Sequence, residues 1–310
     1  MKKAKFLVPY LAVLLGYSWA LWVKVGLSLQ SAPLLGLWIG LVAMAFFPLF
    51  KENPLAQLIG KPLEGGWTFL WLSLPLLING IWGVQTHTLS LNHLGKTALI
   101  LWVPYLLWHL GNVIKDRHFM DILLLLSLLL PWKFGFLDGA WPLGNGLGGF
   151  HAINGILSVH VGVCLLSRKF ALLGLPLQQT KQDWLKVGGF CLVLVGTYFF
   201  LHRHNLKLPG ISFHGSLVLE ILTLVVVYGF IEELLFRGFI LNWAKSVTAS
   251  SILSIALSAT LGAVFSLMPT WAGAAAVGAA SGIVYVWTSS LLVSAIFGSV
   301  LRALVILAFF

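Results

Sequence analysis

Two adjacent carboxylates, Glu232 and Glu233, stand inside a long apolar run whose residues 217–236 are mostly Leu, Val, Ile and Phe. That composition is the one a bilayer-spanning helix needs. A charged side chain near the bilayer centre costs from a few to roughly ten kcal/mol, so an acid in such a place is by default a functional-site residue. Arg237 follows Glu233 by four positions, one helical turn on, where a cation reaches the carboxylate. The helix therefore carries chemistry here, or a buried ion pair that locks it to its neighbours.

The rest of the chain has the same character. Its 310 residues are 59% hydrophobic and 9% charged, with a mean hydropathy of +0.96, whereas a soluble domain carries about a quarter charged residues. Long apolar runs bounded by Lys, Arg, Pro and Gly point to helices and not to the ~10-residue alternation of a barrel. The expected fold is an all-α polytopic membrane protein. Spans are expected near 6–23, 33–50, 66–85, 97–114, 119–132, 151–167, 186–201, 216–240, 250–268, 271–288 and 290–309, about eleven in all.

The net charge of +10 belongs to the loops and not to a nucleic-acid surface. With the N-terminus cytoplasmic, that side's loops and ends carry twelve Lys and Arg. The opposite side carries five: Lys24, Lys96, Lys133, Arg203 and Lys207. This asymmetry follows the positive-inside rule, and the many Trp near the ends of the runs fit interfacial anchoring. The location implied is a multi-pass protein of a bacterial-type plasma membrane or its equivalent, with membrane lipids as partners. The first run, after Lys2, Lys3 and Lys5, reads as an uncleaved helix because no small-x-small cleavage site follows it.

A polar stretch at 167–186 divides the chain. Residues 1–170 form an N-terminal bundle of about six spans without a readable motif, and 171–310 form a second unit of about five. Cys164 and Cys191 read as packing residues, since a disulfide framework or metal site needs more thiols. The aromatic and Gly-rich loop 133–151, with Asp138 and Asn145, reads first as a connector and second as a binding loop. His202, His204 and His214 lie in a basic loop with spacing poorly suited to a metal; His151 and His160 point to opposite faces of one helix. No cofactor or metal is called for.

The second unit resembles the CAAX protease and bacteriocin-processing family of glutamate-type intramembrane endopeptidases. The residues that carry the resemblance are Leu173-Gly174-Leu175, the polar lead-in 178–186, and above all Glu232-Glu233-Leu-Leu-Phe-Arg237-Gly238, which fits the family's Glu-Glu-x-x-x-Arg motif. Two later motifs follow at the family's spacing, after 258–265 and after 282–291. The resemblance implies that the first Glu and a motif-two His activate water, while a motif-three His and Asn steady the oxyanion. Peptide hydrolysis needs such a base and such donors. It also implies a prenylated or signal-type peptide as substrate.

The later motifs are not filled. The motif-two histidine position is Pro269, the motif-three histidine position is Gly298, and the Asn position is Arg302; no His follows His214. Glu232, Glu233 and Arg237 carry over and their partners do not. Arg302 lies within the last apolar run, where an unpaired guanidinium is very costly, and the family arrangement turns it toward Glu232 and Glu233. The expectation is a buried ion pair between Arg302 and these carboxylates. The function that follows is a catalytically degenerate member of the family, acting as a binding or assembly subunit in a membrane complex with other membrane-protein subunits. Two alternatives stand beside it. One is an active endopeptidase with a rearranged site, Glu232 assisted by Arg237 or Arg302 and by a hydroxyl such as Ser266 or Tyr285. The other is a transporter or lipid-handling protein, against which speaks the lack of inverted repeats and paired broken helices.

Overall fold

The computed structural model describes residues 67–85, 87, 89–114, 117–137, 149–166, 181–202, 229–266 and 270–309. All regular structure among them is helical: α1 (Trp67–Gln85), α2 (Leu91–Val113), α3 (Arg117–Phe134), α4 (Gly149–Leu166), α5 (Lys181–His202), α6 (230–248), α7 (Ser251–Phe265), α8 (Trp271–Thr288) and α9 (Leu291–Phe309). The expected spans 6–23 and 33–50 lie outside the described residues, as does most of the approach to Glu232 from 216. One of these helices, α8, is by itself long and apolar enough to cross a membrane; several others carry shorter apolar stretches.

The described residues fall into two compact units, 67–165 and 166–309. In the first, polar groups inside the packed helices are matched pairwise, as an apolar interior requires. Asn79 Nδ2 donates to Thr97 Oγ1 at 2.8 Å, and Ser158 Oγ donates to the Leu128 carbonyl at 2.6 Å. His160 Nε2 lies 2.9 Å from the Trp71 carbonyl. Asn154 brackets the Leu137 backbone, its Oδ1 accepting from the amide at 3.2 Å and its Nδ2 donating to the carbonyl at 3.4 Å. Four helices that share little amphipathic contrast are thus joined by specific hydrogen bonds in addition to shape. Cys164 is buried and Cys191 half-buried, both as free thiols.

The second unit holds the acidic pair. Two pairs of its helices follow each other through very short connections: Ala249 and Ser250 join α6 to α7, and Ser289 and Ser290 join α8 to α9. Ala249 and Ser289 both adopt the left-handed conformation, with φ of 53° and 50°, and terminate their helices by returning an amide to a carbonyl one turn back. Ser250 Oγ and Ser290 Oγ then accept from Leu253 N and Val293 N to start the next helix. Such connections force antiparallel neighbours.

Small residues set how closely those neighbours approach. A Cβ added to Gly278 on α8 would meet Ala259 Cα of α7 at 3.2 Å, and one on Gly282 would meet Ile255 Cγ2 at 3.2 Å. Close backbone approach through Gly, Ala and Ser is the usual means of helix association in lipid. On the other side, Val187 of α5 joins Val277, Ala280 and Val284 of α8 and Val293, Phe297 and Leu301 of α9 in a buried apolar seam. Gly278→Leu should therefore lower the melting temperature of the detergent-purified protein, because overpacking a fitted interface costs about 1–3 kcal/mol. Ala276→Leu, on the exposed face of the same helix, should leave it unchanged.

Candidate functional site

Around the acids, α6 departs from α-helical winding. Phe230–Glu233 is α-helical, Leu234–Leu241 winds as a π-helix, and Asn242–Thr248 returns to α. π segments are rare and concentrate at functional sites. This one is supported from outside: Ser258 Oγ of α7 donates to the Phe236 carbonyl at 2.8 Å. The Asn242 amide nitrogen lies 3.0 and 2.9 Å from the Arg237 and Gly238 carbonyls and 3.1 Å from Tyr285 Oη. All eight residues of the π segment are buried, Arg237 among them.

Glu232, Glu233, Arg237 and Arg302 form one buried cluster. Arg302 Nη2 pairs with Glu232 Oε2 and lies 3.4 Å from Glu233 Oε1, so a single nitrogen of α9 bridges the two carboxylates of α6. Arg237 Nε stands 3.3 Å from Glu233 Oε2 across one helical turn, and Arg237 Nη2 donates to the Gly278 carbonyl of α8 at 2.6 Å. Ser294 Oγ is 2.7 Å from Glu233 Oε2 and 2.9 Å from the Ser281 carbonyl. Ser266, at the end of α7, reaches Glu232 Oε1 at 3.4 Å. Two carboxylates and two guanidiniums balance, and buried charges persist when they are paired.

The bare face of Gly298 makes this arrangement possible. A Cβ there would lie 2.6 Å from Ser281 Oγ and 2.7 Å from Glu233 Oε1. The carboxylate thus sits against the α9 backbone at the position where the family resemblance implies a histidine. Gly229 works the same way one turn before Glu233, since a Cβ on it would run into Ser299 Oγ and Cβ. Ser294, Gly298 and Arg302, spaced by four, put one face of α9 against the acids.

Of the other residues singled out in the sequence, Ser266 is brought to Glu232, whereas Tyr285 is engaged by Asn242. Pro269, Asp138, Asn145, His204 and His214 lie outside the described residues, as do the side chains of His151 and His202. His160 belongs to the first unit and bonds to backbone. Among the described residues no three His, Cys, Asp or Glu side chains are gathered to hold a metal. Ser294, Ser281, Asn242 and the Gly278 carbonyl were not anticipated. The fourfold spacing Ser294-Gly298-Arg302 was the available signal for the first of them; the Gly278 carbonyl, being backbone, left none.

Chemically, a general base must offer a lone pair to a water held beside it. Glu233 has both oxygens occupied, by Arg237 and Ser294 on one side and Arg302 on the other. Glu232 gives one oxygen to Arg302 and the other to Ser266. Arg302 is less complete: its Nε and Nη1 are buried with no hydrogen-bond partner.

Residues 213–303 match the family model of Rce1-like proteins, described as type II CAAX prenyl endopeptidase Rce1-like. The C-terminal part of the chain carries a CAAX-protease-like sequence. No curated protein and no solved structure matches the chain. The matched segment contains all four members of the charge cluster.

Removing one member of a buried pair strands the other, at about 3–5 kcal/mol. Arg302→Leu should lower the melting temperature in detergent, and Arg302→Leu with Glu232→Gln should recover much of that loss in a double-mutant cycle. Additivity of the two changes would mean that the pair is not coupled. Gly298→His should destabilise on its own, with Gly298→Ala intermediate, because the first added carbon already meets Glu233.

Proposed function

We propose that this protein is a catalytically silent relative of the CAAX-type intramembrane proteases, retained as a binding or assembly subunit in a membrane complex. The observation that carries the reading is the double occupation of the catalytic space. Arg302 bridges Glu232 and Glu233 where a water would have to be activated. Glu233 itself lies against Gly298, so that an imidazole there would have to displace its carboxylate. A carboxylate held in such an ion pair has its oxygens engaged, while a buried pair of this kind sets helix register more than it adds stability. The retained Glu-Glu-x-x-x-Arg segment then serves as the frame on which α6, α8 and α9 are assembled.

In this reading the chain spans the membrane about eleven times from a cytoplasmic N-terminus, in a bacterial-type plasma membrane or its equivalent. The first unit serves as the docking bundle for other membrane-protein subunits. One observation favours the alternative of a working endopeptidase with a rearranged site: Ser266 Oγ stands at 3.4 Å from Glu232 Oε1, the carboxylate oxygen that Arg302 does not hold.

Purified protein incubated with a prenylated CAAX peptide or a signal-type peptide should yield no cleavage by mass spectrometry. Cleavage that is lost in Glu232→Ala, with the melting temperature showing a folded variant, would decide for the working protease. Topology has a separate measurement. Single cysteines introduced at 203–207 should react with an impermeant maleimide added outside the cell, and cysteines at 169–181 should not. The opposite pattern would reverse the orientation.

A further inference from the structure

A cavity of about 420 Å³ opens at one end of the second unit, away from the charge cluster. It lies between the start of α5 and the end of α8 and is lined by Lys186, Val187, Phe190, Trp287 and Thr288. Its volume falls within the range of small-molecule sites. Its walls are unequal. Val187 belongs to the buried seam of α5, α8 and α9, and continues that seam into the cavity floor. The Phe190 ring is fixed edge-on against Trp287, with centroids 5.4 Å apart, and stacked on Phe297 at 5.7 Å. Thr288 spends its hydroxyl on the Val284 carbonyl at 2.8 Å. Lys186 is the one charged side chain among the described lining residues.

We infer that this cavity is a binding site for an acidic membrane phospholipid, with the headgroup phosphate on the Lys186 ammonium and an acyl chain along Val187, Phe190 and Trp287. The chemistry of the lining divides as such a lipid does, one cation at the rim above an apolar and aromatic wall. Its level in the membrane fits as well. Trp287 is 58% exposed and Trp184, one turn from the cavity, is 48% exposed, and indole rings left open in this way mark the depth of the headgroups. A lysine on a flexible stem there can lay its methylenes on the aromatic wall and lift its charge to the phosphate. Inorganic phosphate would satisfy Lys186 and leave the wall bare. A zwitterionic headgroup would bring its own cation to the same place. The net charge of the acidic lipid is what this rim selects, since basic residues near a membrane surface favour acidic leaflets. The inference involves none of the charge-cluster residues and stands or falls separately from the catalytic reading.

The full-length protein in a neutral detergent would be melted alone, with phosphatidylglycerol, with phosphatidylcholine of the same acyl chains, and with inorganic phosphate. Phosphatidylglycerol should raise the melting temperature by about 2 °C once it exceeds its Kd tenfold; phosphatidylcholine and phosphate should not. Lys186→Glu should remove the shift while its lipid-free melting temperature stays at the wild-type value, and Lys186→Arg should keep it. Should Lys186→Glu melt early without lipid, Lys186→Gln provides the same comparison without charge reversal. Trp287→Ala should reduce the shift for long-chain phosphatidylglycerol more than for a short-chain homologue. An equal shift with phosphatidylcholine, the same shift with phosphate alone, no shift with phosphatidylglycerol, or a shift retained in the Lys186→Glu and Lys186→Gln variants would each overturn the assignment.

Discussion

Four ionisable side chains from two helices meet in the buried interior, and the second unit is arranged around satisfying them. Glu232, Glu233 and Arg237 come from α6 and Arg302 from α9. Each helix from α7 onward contributes a neutral partner as well. α8 supplies the Gly278 carbonyl to Arg237, α9 supplies Ser294 to Glu233, and the end of α7 supplies Ser266 to Glu232. An isolated charge in such a place is prohibitive, and a balanced pair is tolerated only with good geometry and hydrogen bonds for the remaining lone pairs. The registers of α6, α8 and α9 are therefore linked: shifting any one of them by a residue would strand a charge.

Glycine is what allows the cluster to close. Gly298 lets a carboxylate lie against the α9 backbone, and Gly229 lets Ser299 approach the start of α6. Gly278 has two functions, since its missing side chain admits Ala259 of α7 and its carbonyl receives Arg237. The π winding of 234–241 belongs to the same solution. It places Arg237 beside Glu233 while turning its far nitrogen to α8, and the Asn242 amide covers the carbonyls of Arg237 and Gly238. On the α9 face turned to the acids, position 298 is a glycine and position 302 an arginine. The two residues act together. The first leaves space beside Glu233, and the second brings a positive charge to the carboxylates from one turn further along α9.

How much of this was legible differed by kind of feature. The helical runs could be read because apolar length and basic boundaries are local properties. The run at 271–288 coincides with α8, and the short run at 119–132 is the core of α3 (Arg117–Phe134). The run ending at 240 gave no sign of continuing to 248 with a change of winding, since π geometry has no composition of its own. The need of Glu232, Glu233 and Arg237 for buried partners could be read from the cost of charge in an apolar run, and that of Arg302 from the same cost applied to the last run. Ser294 was overlooked because a serine in a membrane helix is unremarkable until its hydroxyl is seen 2.7 Å from a carboxylate.

The sequence by itself determined that the chain is helical and apolar, where its acids and guanidiniums stand, and that residues 213–303 carry a CAAX-protease-like pattern. Those are properties of residue type and spacing along one chain. Only the tertiary structure decided that one nitrogen of Arg302 serves both carboxylates, that Ser266 and not Tyr285 reaches Glu232, that Ser294 supplies a hydroxyl to Glu233, and that a Cβ at 298 would press on Glu233. These depend on distances between helices, which small residues set to within an ångström and which no local pattern encodes.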